Sequence, residues 1–182
     1  MPIIQNKIIS IVGFPGSWKT FLATFLALWY PKDRIFANID IFHEWKRISK
    51  RIHDIDDLDL VTYDDRKWLL ILDEMGINAN SRRSMTDANL KFWETAMLWR
   101  KKNVDILNCA QLNGMADKYF RDLSTYTFEM DSYFESANYL MFKAKILNRA
   151  GRIIKSMKFD LFQLEKLAWL TYNTLESSRI QK

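Results

Sequence analysis

The chain has 182 residues, which is the size of one domain and enough to bury a single hydrophobic core. Apolar residues make up 48% and charged residues 27%, close to the values of globular proteins, so we do not expect a disordered chain. The net charge of +5 is compatible with a polyanionic partner without establishing one. The single cysteine excludes an intrachain disulfide and a zinc site built on several thiolates.

The sequence shows no feature of export or membrane insertion. Its first residues lack a basic segment followed by a long apolar stretch, so we expect no signal peptide. No window contains the roughly 18 apolar residues that a membrane span requires, so we expect no span. Cys109 lies in an apolar run and is expected to be buried, which fits a reducing intracellular compartment.

The first predicted elements alternate between strand and helix. Residues 7–12 form a β-branched run that ends at Gly13, which is typical of a buried parallel strand. Residues 21–30 have helical length and composition and stop before a proline. Residues 34–41 alternate like a second strand, and residues 42–52 mix aromatic with basic residues and are predicted to be helical.

The alternation continues through the middle of the chain. Residues 68–72, with the sequence WLLIL, are the most apolar predicted strand and are followed by two acidic residues. Residues 87–102 are predicted to form a helix, and residues 104–110 a strand that closes on Gln111. Strands alternating with helices predict a parallel sheet with helices on its faces.

After residue 124 the pattern changes to successive strands. We predict strands at 126–130, 139–147 and 152–159, the last two joined by a hairpin turn around residues 148–151. Residues 161–175 are predicted to form a closing helix.

An eight-residue segment between the first strand and the first helix has the spacing of a phosphate-binding loop. Its members are Gly13, Phe14, Pro15, Gly16, Ser17, Trp18, Lys19 and Thr20. A loop that leaves a buried strand and enters a helix points its backbone N–H groups inward, where they cradle a β-phosphate. Lys19 is expected to reach the β- and γ-phosphates, and Thr20 to offer its hydroxyl to Mg²⁺. We therefore predict a site for ATP and Mg²⁺, with GTP as the open alternative.

Two acidic residues follow the strand at 68–72. A carboxylate leaving a buried strand beside the loop strand can hold Mg²⁺ through water, so Asp73 is assigned to the metal. Glu74 points elsewhere in the site and is assigned as general base or water-positioning group. Gln111 ends the next strand, where α/β sheets place their chemistry, and is expected to sense the γ-phosphate or orient the water. The alternative for Gln111 is a polar residue that begins a loop.

Three segments in this order resemble the HerA/FtsK superfamily of ATPases: GFPGSWKT, WLLILDE and WRKKNVDILNCAQ. The chain is similar in particular to the small genome-packaging ATPases of icosahedral viruses with an internal membrane, and to the related Zot-like proteins. The resemblance covers residues 7–131. Trp18 departs from the family, which usually has glycine before the lysine. The indole cannot point at the phosphates, so we expect it to pack outward, against the helix or near the base, while Gly16 provides the flexibility.

The resemblance implies an α/β fold of the P-loop NTPase type (RecA/FtsK-like), with a mainly parallel sheet flanked by helices. The pattern after residue 124 adds a C-terminal hairpin plus helix. We interpret residues 1–182 as one domain, in which 1–131 form the nucleotide-binding core and 132–182 an extension of it.

The resemblance further implies a homo-oligomeric ring, a pentamer or hexamer, that pulls double-stranded DNA through its centre. Such a ring works in the cytoplasm of the host cell or on the virion, with a capsid vertex protein as a partner. Nucleotides would lie between subunits, and each would need an arginine from the neighbouring copy. Arg100 is the first candidate, Arg82 and Arg83 are alternatives, and ordinary surface charge is the competing interpretation for all three.

Two basic clusters are candidate DNA contacts. The first consists of Lys46, Arg47, Lys50 and Arg51. The second lies along the predicted hairpin and consists of Lys143, Lys145, Arg149, Arg152, Lys155 and Lys158. Phosphate contacts require Lys and Arg but little geometry, so a solvated helix face and an ordinary strand exterior are the alternatives.

The leading hypothesis is an ATP-hydrolysing motor that translocates double-stranded DNA, as in viral genome packaging. One alternative is a Zot-like ATPase of virion morphogenesis and extrusion, although such proteins generally carry a membrane span. The other is a small nucleotide-dependent kinase or switch, which would need an arginine-rich lid that no segment suggests.

Overall fold

The structure is a computed structural model that describes residues 7–28, 34–43, 46–53, 57, 67–73, 98, 104–111, 123–136 and 139–160. Its elements in chain order are β1 (Ile8–Gly13), α1 (Lys19–Leu28), β2 (Arg34–Ala37), β3 (Phe42–His43), β4 (Lys46–Arg47), β5 (Ser49–Arg51), β6 (Trp68–Asp73), β7 (Val104–Gln111), β8 (Tyr126–Ser136), β9 (Tyr139–Asn148) and β10 (Ile153–Asp160).

Eight of these strands form one sheet in the order β10-β9-β8-β1-β7-β6-β2-β5. The six strands β8, β1, β7, β6, β2 and β5 run parallel to one another, and β9 is antiparallel to both β8 and β10. The short strands β3 and β4 pair separately. The mainly parallel α/β sheet with a C-terminal hairpin is confirmed.

The core lies on both faces of this sheet. All six residues of β1 are buried, and so are the first five residues of β6, because parallel strands in the middle of a sheet are covered on both sides. On one face, Leu22 and Ala23 of α1 pack against Ile9 and Ile11 of β1. Cys109 on β7 is fully buried, as predicted.

The helix predicted for residues 42–52 is wrong, because this segment forms β3, β4 and β5. Ser49 explains the extended conformation. Its hydroxyl accepts a hydrogen bond from the N–H of Ile41 at 3.0 Å and donates to the carbonyl of Ile39 at 3.3 Å, while β5 pairs with β2. The pairing with β2 satisfies backbone groups of β5 that a helix would have paired internally, and the side-chain bridge ties Ser49 to the backbone of residues 39–41.

The strand that carries Asp73 is not beside the strand that precedes the loop, which corrects a second expectation. β7 lies between β1 and β6 and pairs with both in parallel. Because parallel strands place their carboxyl ends at one edge, three strand ends still meet there.

Two predicted helices, at residues 87–102 and 161–175, lie outside the described residues, apart from Leu98, which is helical. Within the described ranges, no helix combines the length and the apolar character required to cross a membrane.

Candidate nucleotide site

The candidate site lies at the carboxyl edge of the sheet, where β1 turns into α1. Gly13 at the end of β1 is in register with Gln111 at the end of β7 and with Met130 on β8. Asp73 at the end of β6 is in register with Cys109. The parallel pairing therefore brings the loop, the acidic residue and the glutamine to the same edge.

The loop begins with a glycine that has no room for a side chain. A Cβ on Gly13 would stand 2.6 Å from the carbonyl oxygen of Met130 and would also meet the Ser17 hydroxyl. The Ser17 N–H donates to the carbonyl of Phe14 at 3.1 Å, which closes the turn. The Ser17 Oγ is buried and has no hydrogen-bond partner among the described residues, so the loop holds a polar atom that a ligand can satisfy.

Lys19 is the first residue of α1 and is 5% exposed. Its Nζ donates to the carbonyl of Phe14 at 2.9 Å, so the ammonium charge is held across the loop and not extended into solvent. A buried cation at a helix N-terminus is suited to an anion, because the helix dipole and the backbone N–H groups there also attract negative charge.

Thr20 and Asp73 meet although they are far apart in sequence. The Thr20 hydroxyl donates to a carboxylate oxygen of Asp73 at 2.8 Å. A hydroxyl and a carboxylate side by side are oxygen ligands of the kind that Mg²⁺ prefers. These two residues therefore fit the metal that the loop spacing predicts.

Asn38 is a site residue that sequence reasoning missed. Its side-chain nitrogen donates to the carbonyl of Asp73 at 2.7 Å, and its side-chain oxygen accepts from the Asp73 N–H at 2.8 Å. These two bonds hold the backbone of the residue that also contacts Thr20. The available signal was an asparagine in the predicted strand 34–41, because asparagine is depleted in strands; β2 indeed ends at Ala37.

We expect Asn38→Leu to raise the Mg²⁺ concentration needed for half-maximal ATP hydrolysis by about 10- to 100-fold, the usual effect of removing a group that orients a metal ligand. The matched control is Asn148→Leu. Asn148 also makes two side-chain bonds to backbone, accepting from Ala150 and Arg152 in the hairpin turn, away from the loop. Equal magnesium dependence in the two variants would contradict the role of Asn38.

Trp18 packs against the helix side of the site, one of the two orientations expected from the sequence. Its ring centroid lies 5.5 Å from that of Phe21 on α1 and 5.2 Å from that of Phe142 on β9. Trp18 adopts a φ of 61°, which L-residues with a side chain disfavour by about 1 kcal/mol or more. Aromatic pairs contribute about 0.5–1.5 kcal/mol each beyond their buried area, so two ring contacts are sufficient to offset that strain.

This balance predicts an order of stability among variants of Trp18. Trp18→Ala loses both ring contacts and keeps the unfavourable φ, whereas Trp18→Gly loses the contacts but relieves the φ. We expect both to be less stable than the parent, with the glycine variant more stable than the alanine variant by about 1 kcal/mol in urea denaturation. Equal stability of the two variants would show that the φ of residue 18 carries no strain.

The remaining predicted residues have different outcomes. Gln111 is half-buried at the end of β7, in register with Gly13. Glu74 follows the last residue of β6 and lies outside the described residues, as do Arg100, Arg82 and Arg83. The roles assigned to these residues stay predictions.

Similar solved structures identify the fold. Flagellar accessory protein FlaH from Methanocaldococcus jannaschii matches with a TM-score of 0.62 and 11% identity, over 85% of each chain. The N-terminal domain of zonular occludens toxin from Neisseria meningitidis matches with a TM-score of 0.55 and 17% identity, over 93% of this chain and 100% of that one. The fold is that of the RecA-like P-loop NTPases.

A third similar structure is the genome packaging NTPase B204 from Sulfolobus turreted icosahedral virus 2 in complex with AMPPCP. It matches with a TM-score of 0.53 and 12% identity, over 83% of this chain and 96% of that one. No protein-family model matches the sequence, and no curated protein matches it.

Proposed function

We propose that this protein binds ATP with Mg²⁺ at the loop Gly13 to Thr20 and hydrolyses it. The observation that carries this proposal is the 2.8 Å contact between Thr20 and Asp73, next to the buried ammonium of Lys19. A hydroxyl, a carboxylate and an ammonium are the three groups needed to hold a triphosphate and its metal. The RecA-like fold supports the proposal.

In this proposal bound Mg²⁺ would neutralise negative charge on the phosphates of ATP, so that water can attack the γ-phosphoryl group. Lys19 would contact the phosphates, and Thr20 and Asp73 would hold the metal. Glu74 accepts a proton from the attacking water, and Gln111 orients that water or senses the γ-phosphate.

We expect Glu74→Gln to bind ATP with the affinity of the parent and to lose turnover by about 10²- to 10⁴-fold, because the amide keeps the shape but cannot take the proton. Single-turnover phosphate release and calorimetric binding separate the two effects. Retained turnover would assign the base to another residue.

We further propose that hydrolysis drives the movement of double-stranded DNA, as in a viral genome-packaging ATPase. Support comes from the order of three segments, which resembles that of the HerA/FtsK superfamily, and from the similarity in fold to the packaging NTPase B204. The proposed partners are duplex DNA, further copies of this chain in a ring of five or six, and a capsid vertex protein. Arg100 is the proposed arginine supplied by the neighbouring copy.

The test is phosphate release with and without duplex DNA, together with the mass in solution in the presence of a non-hydrolysable nucleotide. A motor is expected to show faster hydrolysis with duplex and a ring-sized mass that depends on protein concentration. Hydrolysis unaffected by duplex, from a strict monomer, contradicts this proposal while leaving ATP hydrolysis intact.

A Zot-like role in virion morphogenesis is the second candidate. It is favoured by the match to the toxin's N-terminal domain, which spans all of that domain. This candidate predicts ATP hydrolysis that duplex DNA does not accelerate, so the same assay distinguishes the two.

A further inference from the structure

We propose that a basic cleft at the outer edge of the sheet binds the phosphate backbone of duplex DNA. The cleft cations are Arg34, Arg47, Lys50 and Arg51. This inference rests on the proposed function, because double-stranded DNA is the proposed substrate of the motor, and it names where this chain contacts that substrate.

The cleft is formed by β2 and by the segment that contains β4 and β5. β5 is the last strand of the eight-stranded sheet, so one side of it carries no further described strand. The cleft has a volume of about 510 Å³, and all four cations line it. Arg34, Arg47 and Lys50 are exposed, so their charges are available to a partner in solution.

The cations are held in place by the fold. Arg47 lies 2.7 Å from one oxygen of Asp40, and Arg51 lies 3.1 Å from the other. Arg34 lies over the ring of Trp68 at 5.1 Å, and Lys50 over the ring of Phe36 at 5.7 Å. One carboxylate is thus shared by two guanidinium groups, and the other two cations rest on neutral rings. Among the described residues at the cleft, four cations share one carboxylate, which leaves an excess of positive charge.

The second basic cluster lacks this excess in its central part. In the pairing of β8 with β9, Lys143 stands opposite Asp131 and Lys145 stands opposite Glu129. Residues directly opposite each other share a face of the sheet, so opposite charges at those positions offset one another. On β10, however, Lys158 stands opposite Lys143 and Lys155 opposite Ile146, so the outer part of the hairpin keeps its positive charge. The edge cleft is favoured because its four cations line one concave surface.

The chemistry of the cleft favours duplex over single-stranded DNA. Proteins that bind single strands present aromatic faces on which bases stack. The rings beneath Arg34 and Lys50 are buried, with Trp68 1% and Phe36 3% exposed, and each is covered by a cation. Such a surface offers cations to phosphates and no free ring face to a base, so we expect binding to be independent of the DNA sequence.

The decisive variant is Arg47→Gln/Lys50→Gln, and the matched control is Lys155→Gln/Lys158→Gln. Both remove two positive charges from exposed residues, the control pair lying on β10. Affinity for a fluorescently labelled duplex is measured over a series of salt concentrations. Removal of two phosphate contacts is expected to reduce the slope of log affinity against log salt by about 1.8, whereas the control keeps the parent's slope.

If the double variant does not fold, as judged by circular dichroism, Lys50→Gln alone is expected to reduce the slope by about 0.9. If the parent binds duplex and a folded variant shows the same slope as the parent, the cleft is not the DNA site. The proposal of a DNA-translocating motor is unaffected by that result. Hydrolysis that duplex does not accelerate overturns the motor, while the slopes still report on the cleft. Poly-glutamate is the probe for an acidic protein partner. If the double variant loses binding to poly-glutamate but binds duplex as the parent does, the cleft is a site for an acidic protein and the inference is overturned.

Discussion

Replacing Lys19 with alanine is expected to reduce the rate of ATP hydrolysis by about 10²-fold or more, as when a single preorganised donor to a transition state is removed. The ammonium is buried and is held across the loop by its bond to the carbonyl of Phe14. A methyl group can neither donate to phosphate oxygens nor offset their charge. We also expect ATP affinity to fall about tenfold or more, because hydrogen bonds from charged groups contribute about 1.5–3 kcal/mol.

The control for this variant is Lys158→Ala, which removes an exposed lysine of β10. Calorimetry measures ATP binding, and phosphate release measures turnover. The fold of Lys19→Ala is expected to survive, because the lost bond is to a carbonyl of an exposed residue, which water can reach. Turnover of Lys19→Ala at the parent's rate would contradict both the site and the function proposed for it.

Gly13→Ala is expected to destabilise the protein more than alanine at either of the other two described glycines. The new Cβ would stand 2.6 Å from the carbonyl oxygen of Met130, and this oxygen belongs to a strand paired with β1. Neither backbone can move without breaking that pairing. Overpacking of this kind costs about 1–3 kcal/mol, and here the loop must also shift to relieve it. Chemical denaturation and ATP binding measure the two consequences.

Two other glycines provide matched controls. Gly16 and Gly151 have φ values of 77° and 73°, and a Cβ on either meets no atom within 4 Å. Alanine at each site therefore introduces backbone strain of about 1 kcal/mol without a clash. Gly151→Ala, in the hairpin turn, is expected to leave ATP binding unchanged. If Gly13→Ala is as stable as these two variants, the prediction is contradicted, and the backbones of β1 and β8 can move apart at little cost in free energy.

The structure explains why a tryptophan is tolerated next to the phosphate-binding lysine. The strained φ of Trp18 is combined with ring contacts to Phe21 and Phe142. Phe142 belongs to β9, which follows residue 131 and thus lies beyond the segment that resembles other ATPases. The loop and the C-terminal hairpin are therefore packed together, and neither is expected to tolerate change independently of the other.

Local patterns were sufficient for the central strands and for the loop. The runs that became β1, β6 and β7 are mostly apolar, and burial on both faces of a parallel sheet favours that composition. The loop spacing was sufficient to place Lys19 and Thr20 at the start of a helix. Strand composition and loop spacing are set by residues adjacent in sequence, so they can be predicted from the sequence alone.

Residues 42–52 show where local patterns fail. The mixture of aromatic and basic residues favoured a helix, but β5 is extended because β2 offers it a strand partner. Ser49 also bridges two backbone groups of residues 39–41. A three-residue strand has almost no signal of its own, because its stability comes from the strand beside it.

The sequence by itself determined the loop between β1 and α1, the apolar strands at the site, and the acidic residue that ends β6. Only the tertiary structure decided that β7 separates β1 from β6, that Asn38 holds the backbone of Asp73, and that Trp18 rests on Phe142. The reason is physical. Burial and turn chemistry act on adjacent residues, whereas strand order and side-chain partners depend on residues brought together only when the whole sheet has formed.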